Sequence, residues 1–280
     1  MAGAELAPVV FGLLSAVTWG AGDFSGGLAT RRANVYSVVI WSQLVGLFLL
    51  TGLALAFGET PPPPQDWLWC GMAGMAGAVG LMGLYRALAL GRMGVAAPLS
   101  GVVSAALPVV VGLFLEGLPG GLQLIGFGLA LVGVWFLSRS GEASIRASDL
   151  GLPFMAGVGF GLFYVFIDRV SATAVFWPLA AARTASLILV LAVVRFSRQP
   201  AAPQIQYLPL IALAGALDAG GNAFFVLAAQ AGRLDVASVL SSLYPASTVW
   251  LAWAFLKERI TRPQTLGIFM ALGAIVLIAA

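Results

Sequence analysis

The stretch from Gly232 to Leu272 reads GRLDVASVLSSLYPASTVWLAWAFLKERITRPQTLGIFMAL and joins two apolar runs through the short hinge Lys257-Glu258-Arg259. Moved back by 141 residues, it aligns without a gap with Gly91 to Leu131, GRMGVAAPLSGVVSAALPVVVGLFLEGLPGGLQLIGFGLAL, and thirteen positions keep their residue. The retained residues include a Gly-Arg corner, a glutamine and a further glycine. Such matches are less easily explained by chance than matches between apolar residues in an apolar sequence. The alignment predicts a duplicated chain.

The composition indicates that the duplicated chain lies in lipid. Of its 280 residues, 60% are hydrophobic and only 9% are charged, and a soluble fold of this length cannot bury that much apolar surface. There is no histidine, and Cys70 is the only cysteine. We therefore expect no disulfide, no metal site with these ligands and no histidine proton relay. No nucleotide-binding loop is present, so ATP hydrolysis within this chain is not expected to drive its function. No cofactor is expected.

Ten stretches are apolar enough to span a membrane, although the fifth and tenth are short. A span needs about 20 apolar residues because the hydrocarbon core is roughly 30 Å thick, and helices satisfy the backbone in lipid. The predicted spans are Leu6–Leu28, Val35–Phe57, Trp67–Leu90, Val95–Leu115, Leu122–Leu137, Leu150–Val170, Ala174–Phe196, Leu208–Ala231, Val236–Leu256 and Pro263–Ala280. The sequence predicts an all-α membrane protein.

The most polar segment divides the chain into two halves. We predict a first five-helix repeat at 1–138, a polar linker at 139–149 and a second five-helix repeat at 150–280. Because five is an odd number, the second copy must insert upside down relative to the first. Ten transmembrane helices arranged as two inverted repeats are typical of secondary transporters, whose site lies at the interface of the halves.

The basic residues agree with inverted halves. Connections after even-numbered spans carry only Arg169 and Arg233. Connections after odd-numbered spans carry ten basic residues: Arg31, Arg32, Arg92, Arg139, Arg146, Arg195, Arg198, Lys257, Arg259 and Arg262. This bias predicts that the odd connections are cytoplasmic and that both termini are outside. It fits membrane insertion better than nucleic-acid binding, which needs a basic patch on a folded surface.

Four features carry a resemblance to a known family: the segment SVLSSLYPAS, the following KER hinge, the sequence Gln-Thr-Leu-Gly from Gln264, and the motif GLYRALAL that ends the third span. Over nearly its whole length the chain resembles the EamA domain of the drug/metabolite transporter superfamily. In the first copy the hinge differs, because Glu116-Gly117 replaces Lys257-Glu258 and the proline stands at Pro108.

The resemblance implies ten helices around a central cavity and a protein that is not an enzyme. The implied activity is secondary active export of small polar or amphipathic metabolites, such as amino-acid-like compounds or drugs, across the bacterial plasma (inner) membrane. The implied partners are a small-molecule substrate and the bilayer, without nucleic acid. Relatives are drawn with cytoplasmic termini, so the orientation stays open between this arrangement and the one that the charge count predicts.

Two charged residues lie well inside predicted spans, Arg183 in the seventh and Asp218 in the eighth. A charge at such a depth costs roughly 2.5–3.5 kcal/mol on insertion scales, so it must be paired or face water. We expect both to line a cavity, with Asp218 binding a cationic group or a coupling proton and Arg183 binding a carboxylate. The alternative is a purely structural ion pair between neighbouring helices.

Other polar residues extend this candidate substrate site. Asn222 lies one helical turn after Asp218 and shares its face. Gln43 is a second buried amide, and interhelical hydrogen bonding is the alternative role for it. Asp23 lies about three-quarters along the first span. We expect it to be a carboxylate at the cavity mouth or a partner of Arg31 or Arg32.

Aromatic residues and glycines inside the predicted spans also indicate roles in the cavity and in helix packing. Trp19, Tyr85 and Tyr244 are predicted to line the cavity, with lipid-facing positions as the alternative. Tyr244 precedes Pro245, whose missing N–H favours a kink. Glycines recur every third residue along the third span and predict a helix-packing seam: Gly71, Gly74, Gly77, Gly80 and Gly83.

Two other classes of function were weighed against a carrier. An uncoupled channel or facilitator is disfavoured because no selectivity-filter sequence or charged ring appears. An intramembrane enzyme is disfavoured because no histidine is available for a serine protease, and Asp23 lacks the partner motif of an aspartyl protease. No catalytic residue is therefore expected.

Overall fold

The computed structural model describes residues 2–90, 93–115, 117–137, 150–170, 173–257 and 261–279. The predicted linker at 139–149 and the residues Arg92, Glu116, Glu258 and Arg259 lie outside these ranges. Within the described residues the chain is helical and contains no β-strand. The helices are α1 (Ala2–Thr30), α2 (Val35–Ala56), α3 (Trp67–Ala89), α4 (Met93–Leu115), α5 (Gly121–Leu137), α6 (Gly151–Asp168), α7 (Phe176–Ser197), α8 (Leu208–Ala231), α9 (Leu234–Ser241), α10 (Tyr244–Leu256) and α11 (Arg262–Ala279).

Six helical segments within the described residues are long and apolar enough to cross a membrane. They are Leu6–Thr30, Val35–Ala56, Pro64–Ala89, Gly151–Asp168, Phe176–Ser197 and Ile205–Ala231. Shorter apolar helices cover Leu99–Leu115 and Gly121–Phe136. These segments make the chain an all-helical, multi-pass membrane protein, while the count of ten spans stays a prediction.

We expected the ninth span, Val236–Leu256, to be one helix, and the structure differs from this expectation. It is divided into α9 and α10, because α9 ends at Ser241 and α10 begins at Tyr244. The amide of Leu243 donates to the carbonyl of Leu240 at 3.2 Å, which tightens the last turn. Pro245 lies in the first turn of α10 and has no N–H to continue the ladder from α9.

The helix boundaries extend the 141-residue register beyond the stretch in which the sequence showed it. The first residues of four helix pairs are each 141 apart: Val35 and Phe176, Trp67 and Leu208, Met93 and Leu234, Gly121 and Arg262. Accordingly, α2, α3 and α5 correspond to α7, α8 and α11, and α4 corresponds to α9 and α10 together. The duplication therefore covers most of the chain.

The packing of the helices follows the same correspondence. α1 packs on α8 as α6 packs on α3, and α2 packs on α8 as α7 packs on α3. α4 contacts α6, and its counterparts α9 and α10 contact α1. The pairs α2–α7 and α5–α11 each join a helix to its own counterpart. Exchanging the two halves therefore maps these main helix contacts onto one another.

Glycines allow the backbones of neighbouring helices to touch at equivalent places. A Cβ atom on Gly74 of α3 would overlap the carbonyl of Ala182 in α7, and one on Gly215 of α8 would overlap the carbonyl of Ser42 in α2. Small residues permit this close approach in membranes, where no hydrophobic effect drives helices together.

The predicted glycine seam of α3 is confirmed for four of its five members. Gly74 faces α7, whereas Gly77, Gly80 and Gly83 face α6. A Cβ atom on Gly71 would meet no atom within 4 Å. The packing seam therefore runs from Gly74 to Gly83 and does not include Gly71.

The connection between α2 and α3 binds the second half of the protein through Glu59. Its carboxylate accepts hydrogen bonds from the amides of Val175, Phe176 and Trp177, at 2.9, 2.8 and 3.1 Å. The indole of Trp177 donates to the Glu59 carbonyl at 2.9 Å. Glu59 thus caps the positive end of α7 with a negative charge, which is the favourable sign for the helix dipole.

The connection between α7 and α8 docks on the first half in return. The hydroxyl of Ser37 donates to the carbonyl of Pro200 at 2.8 Å, and the indole of Trp41 donates to the carbonyl of Ala201 at 3.1 Å. The α2–α3 connection of the first half therefore binds α7, and the α7–α8 connection of the second half binds α2.

We expect Gly74→Ala to lower the thermal stability of the purified protein, because its methyl group would collide with the α7 backbone. Overpacking of this kind costs about 1–3 kcal/mol. The measurement is thermal unfolding in detergent micelles. Gly71→Ala is the matched control in the same helix and should be neutral or slightly stabilising, since alanine favours helix over glycine. Equal effects of the two substitutions would contradict the assigned contact.

We expect Glu59→Ala to destabilise the protein by about 1–2 kcal/mol, because the α7 N-terminus loses its cap. Glu59→Gln should cost less, since the amide oxygen still accepts a hydrogen bond. Gln65→Ala, at an exposed position of the same connection, serves as the control in thermal unfolding. The cap assignment fails if Gln65→Ala matches Glu59→Ala.

Candidate functional site

A cavity lies between the halves and is lined by α1, α2, α3, α6, α7, α8 and α10. Its lining residues are Trp19, Asp23, Gln43, Gly74, Gly77, Leu81, Phe160, Phe163, Tyr164, Leu179, Ala182, Arg183, Ser186, Asp218, Asn222 and Tyr244. The centres of water molecules can occupy about 60 Å³ of it. One water needs about 10–15 Å³ by this measure, so the cavity suits a small molecule.

Seven of the eight residues predicted for the substrate site meet at this cavity. Trp19, Asp23 and Gln43 come from the first half. Arg183, Asp218, Asn222 and Tyr244 come from the second half.

Arg183 is the centre of the polar network in the cavity. Its Nη2 lies 2.5 Å from Oδ2 of Asp218, and the side chain is only 7% exposed against 19% for Asp218. Within the described residues Nη2 has no hydrogen-bond partner, so the contact is an ion pair. The structural pairing considered from the sequence is present, and both side chains also line the cavity.

Gln43 of the facing helix α2 binds two residues of α7, Arg183 and Ser186. Its Oε1 accepts a hydrogen bond from Arg183 Nη1, and its Nε2 donates to the hydroxyl of Ser186 at 2.8 Å. Both ends of the amide are used, which fixes its orientation. The expected interhelical hydrogen bonding of Gln43 therefore coexists with its place on the cavity wall.

Aromatic rings close one part of the cavity. The ring of Trp19 stacks on Tyr164 with centroids 5.5 Å apart and on Phe225 at 5.8 Å. Tyr164 and Phe225 stack at 4.4 Å. The indole N–H of Trp19 donates to Oδ1 of Asn222 at 3.1 Å. This cluster holds the Asn222 amide against α1 and joins α1, α6 and α8.

Tyr244 lies at the break between α9 and α10 and is almost fully buried. Its hydroxyl donates to the carbonyl of Ala97 at 2.8 Å and lies 2.8 Å from the hydroxyl of Ser100. These contacts attach the start of α10 to α4, so the broken helix presents its first residue to the cavity.

Tyr85 does not line the cavity, contrary to expectation. It is 1% exposed and packs on Gly26 of α1, where any Cβ atom would overlap its hydroxyl. Because this glycine leaves room for the ring, Tyr85 serves the α1–α3 contact.

Asp23 occupies the cavity wall and is partly exposed. Within the described residues it has no hydrogen bond or ion pair. The expected pairing with Arg31 or Arg32 is absent from this part of the chain, and both arginines are exposed. Of the two roles considered, the structure shows the carboxylate at the cavity.

A second ion pair lies away from the cavity and escaped the sequence analysis. Asp235, at the start of α9, is fully buried, and its carboxylate accepts from Nε and Nη2 of Arg233 at 3.0 and 2.7 Å. Arg233 Nη2 also donates to the carbonyl of Gly117 at 3.0 Å. This pair fastens the Gly-Arg corner to the α4–α5 connection and is structural.

Sequence reasoning also missed several lining residues. Ser186 lies three residues after Arg183 and so shares its helix face, a signal that the sequence did contain. Phe160, Phe163 and Leu179 offered no such signal, because apolar residues occupy every face of these helices.

A model of the EamA-like transporter family matches residues 6–139 and 150–280. The chain belongs to the EamA-like transporter family. The match covers two repeats of the chain. A crystal structure, described only as that of a protein, superposes with a TM-score of 0.75 at 17% identity. The match covers 96% of this chain and 95% of the other, and at this identity it shows the fold alone. No curated protein matches the chain.

We expect Arg183→Gln to destabilise this family member by about 3 kcal/mol, because Asp218 would be left as an unpaired, largely buried charge. The double variant Arg183→Gln/Asp218→Asn should recover part of this loss. A double-mutant cycle on thermal or denaturant unfolding measures the coupling. Additive single effects would mean that the pair contributes no mutual stabilisation.

Proposed function

We propose that this EamA-like protein is a secondary active transporter that moves small polar or amphipathic metabolites, such as amino-acid-like compounds or drugs, by alternating access. The observation that carries the proposal is the composition of the cavity. Charged and polar side chains from both repeats converge on a space enclosed by helices, and such residues inside a membrane mark a solute pathway. A non-catalytic role fits this site.

The proposal includes ten spans in two inverted repeats. The exchange of packing partners between the halves supports a pseudo-twofold relation, and the odd number of helices per repeat requires opposite insertion. The broken helix α9–α10 adds support, because interrupted helices near the midplane commonly form transporter sites.

We further propose that the direction is export, that a proton is the coupling ion and that the membrane is the bacterial plasma membrane. Asp23 and Asp218 are the carboxylates of the cavity and supply groups on which a proton can travel. The strong bias of basic residues between alternate connections supports insertion in a defined orientation.

The experiment is transport by the full chain in proteoliposomes, screened over small metabolites with and without a pH gradient. We expect saturable uptake with counterflow that responds to the gradient. Ohmic conductance in a planar bilayer would instead identify a channel, and saturable uptake that ignores the gradient would remove proton coupling.

We expect Asp218→Asn to reduce transport about tenfold or more, because a charged partner in the cavity is lost, and to flatten the dependence on pH. Arg86→Gln is the control, since Arg86 is exposed in the last turn of α3 and does not line the cavity. Unchanged transport and pH dependence in Asp218→Asn would exclude the proposed role of this carboxylate.

A further inference from the structure

The charges of the cavity do not balance. Three of its lining residues are charged, namely Arg183, Asp23 and Asp218. When all three are ionised, one positive and two negative charges leave one net negative charge. An isolated charge is unfavourable inside a membrane, so one positive charge must balance it: the coupling proton when the cavity is empty, and a cationic solute when the cavity is occupied.

The geometry places this unbalanced charge on Asp23. Arg183 is committed to Asp218 at 2.5 Å and to the Gln43 oxygen. Within the described part of the chain Asp23 has neither an ion pair nor a hydrogen bond. Because Asp23 is partly exposed at the cavity, a ligand can reach its carboxylate.

The surroundings of Asp23 are suited to an organic cation. Trp19 lies one turn before it on the same helix and also lines the cavity, as do Tyr164 and Tyr244. Aromatic faces attract cations, and ammonium groups most often bind among several such rings. A Cβ atom on the neighbouring Gly22 would lie only 3.3 Å from the Asp218 backbone nitrogen, so α1 and α8 approach closely beside the two aspartates.

We propose that the solute of this cavity is a small organic cation with one net positive charge, held by Asp23 among Trp19, Tyr164 and Tyr244. The Arg183–Asp218 pair then acts as an internally neutral part of the wall. This inference rests on the proposed transport function and adds to it the charge class of the solute.

The test uses the full chain in lipid nanodiscs and three probes of similar shape, with binding followed by calorimetry. The probes are choline, a monocation, glycine betaine, a zwitterion without net charge, and dimethylbutanol, the neutral carbon isostere of choline. We expect choline to bind at least about tenfold more tightly than either uncharged probe, as for ligands that pair with a buried carboxylate.

Variants identify the residue that makes this distinction. Asp23→Asn should abolish the preference for choline, whereas Asp23→Glu should keep it because the charge remains. Arg86→Gln, at an exposed position outside the cavity, should also keep the ratio of choline to dimethylbutanol affinities. Arg183→Gln leaves two net negative charges in the cavity, and should shift the preference towards the dication of diaminobutane.

Three results would overturn the inference: no binding of choline, equal binding of choline and dimethylbutanol, or a preference that survives Asp23→Asn. Because these are binding measurements, they are separate from the transport assay. A charge preference lost in Asp23→Asn with no transport in proteoliposomes would refute the proposed function and support the cation site. Saturable transport without a charge preference would support the proposed function and refute the cation site.

Discussion

The ion pair between Arg183 and Asp218 is the interaction on which the centre of this protein depends. A guanidinium that is 7% exposed cannot remain in a lipid-embedded structure unless its charge is met by a nearby carboxylate. The carboxylate is that of Asp218 on α8, and Gln43 brings α2 to the same point through Arg183 Nη1. The polar cavity therefore exists because three helices converge on one buried cation.

The helices can converge so closely because their contact positions carry almost no side chain. Gly74 meets the Ala182 backbone one residue before the arginine, and Gly215 meets the Ser42 backbone one residue before the glutamine. In lipid, such contacts and hydrogen bonds supply the association that the hydrophobic effect provides in water. The Glu59 cap adds a polar clamp at one end of the same α2–α7 pair. The residues that pack the helices together are therefore the same as those that line the cavity, or lie next to them in the sequence.

The sequence drew attention to two charges of the cavity, because a charge within an apolar span is costly and needs a reason. Arg183 and Asp218 were singled out on that ground, and both line the cavity together with Asp23. The aromatic residues were less predictable, since burial against a helix, a cavity and lipid all suit a ring. Tyr85 illustrates this, because a glycine in another helix decides its position.

Contacts between distant segments were beyond the reach of the sequence. Glu59 stood in a proline-rich connection, and its place at the start of α7 depends on a separation of more than a hundred residues. The break before Tyr244 was signalled only as a kink at Pro245. Hydropathy cannot distinguish a kinked span from two helices, because the lost hydrogen bonds leave the composition unchanged.

The duplication is a property of the backbone and not of the charges. The 141-residue register places Ser42 opposite Arg183 and Gly77 opposite Asp218, so the first repeat has no equivalent of the ion pair. In the proposed cycle the halves exchange their geometries, yet the same charged groups must face both sides of the membrane. This is possible only if those groups lie near the proposed pseudo-twofold axis. Arg183 fits this proposal, because it joins α7 to Gln43 of α2, and α2–α7 is a pair in which a helix packs on its own counterpart.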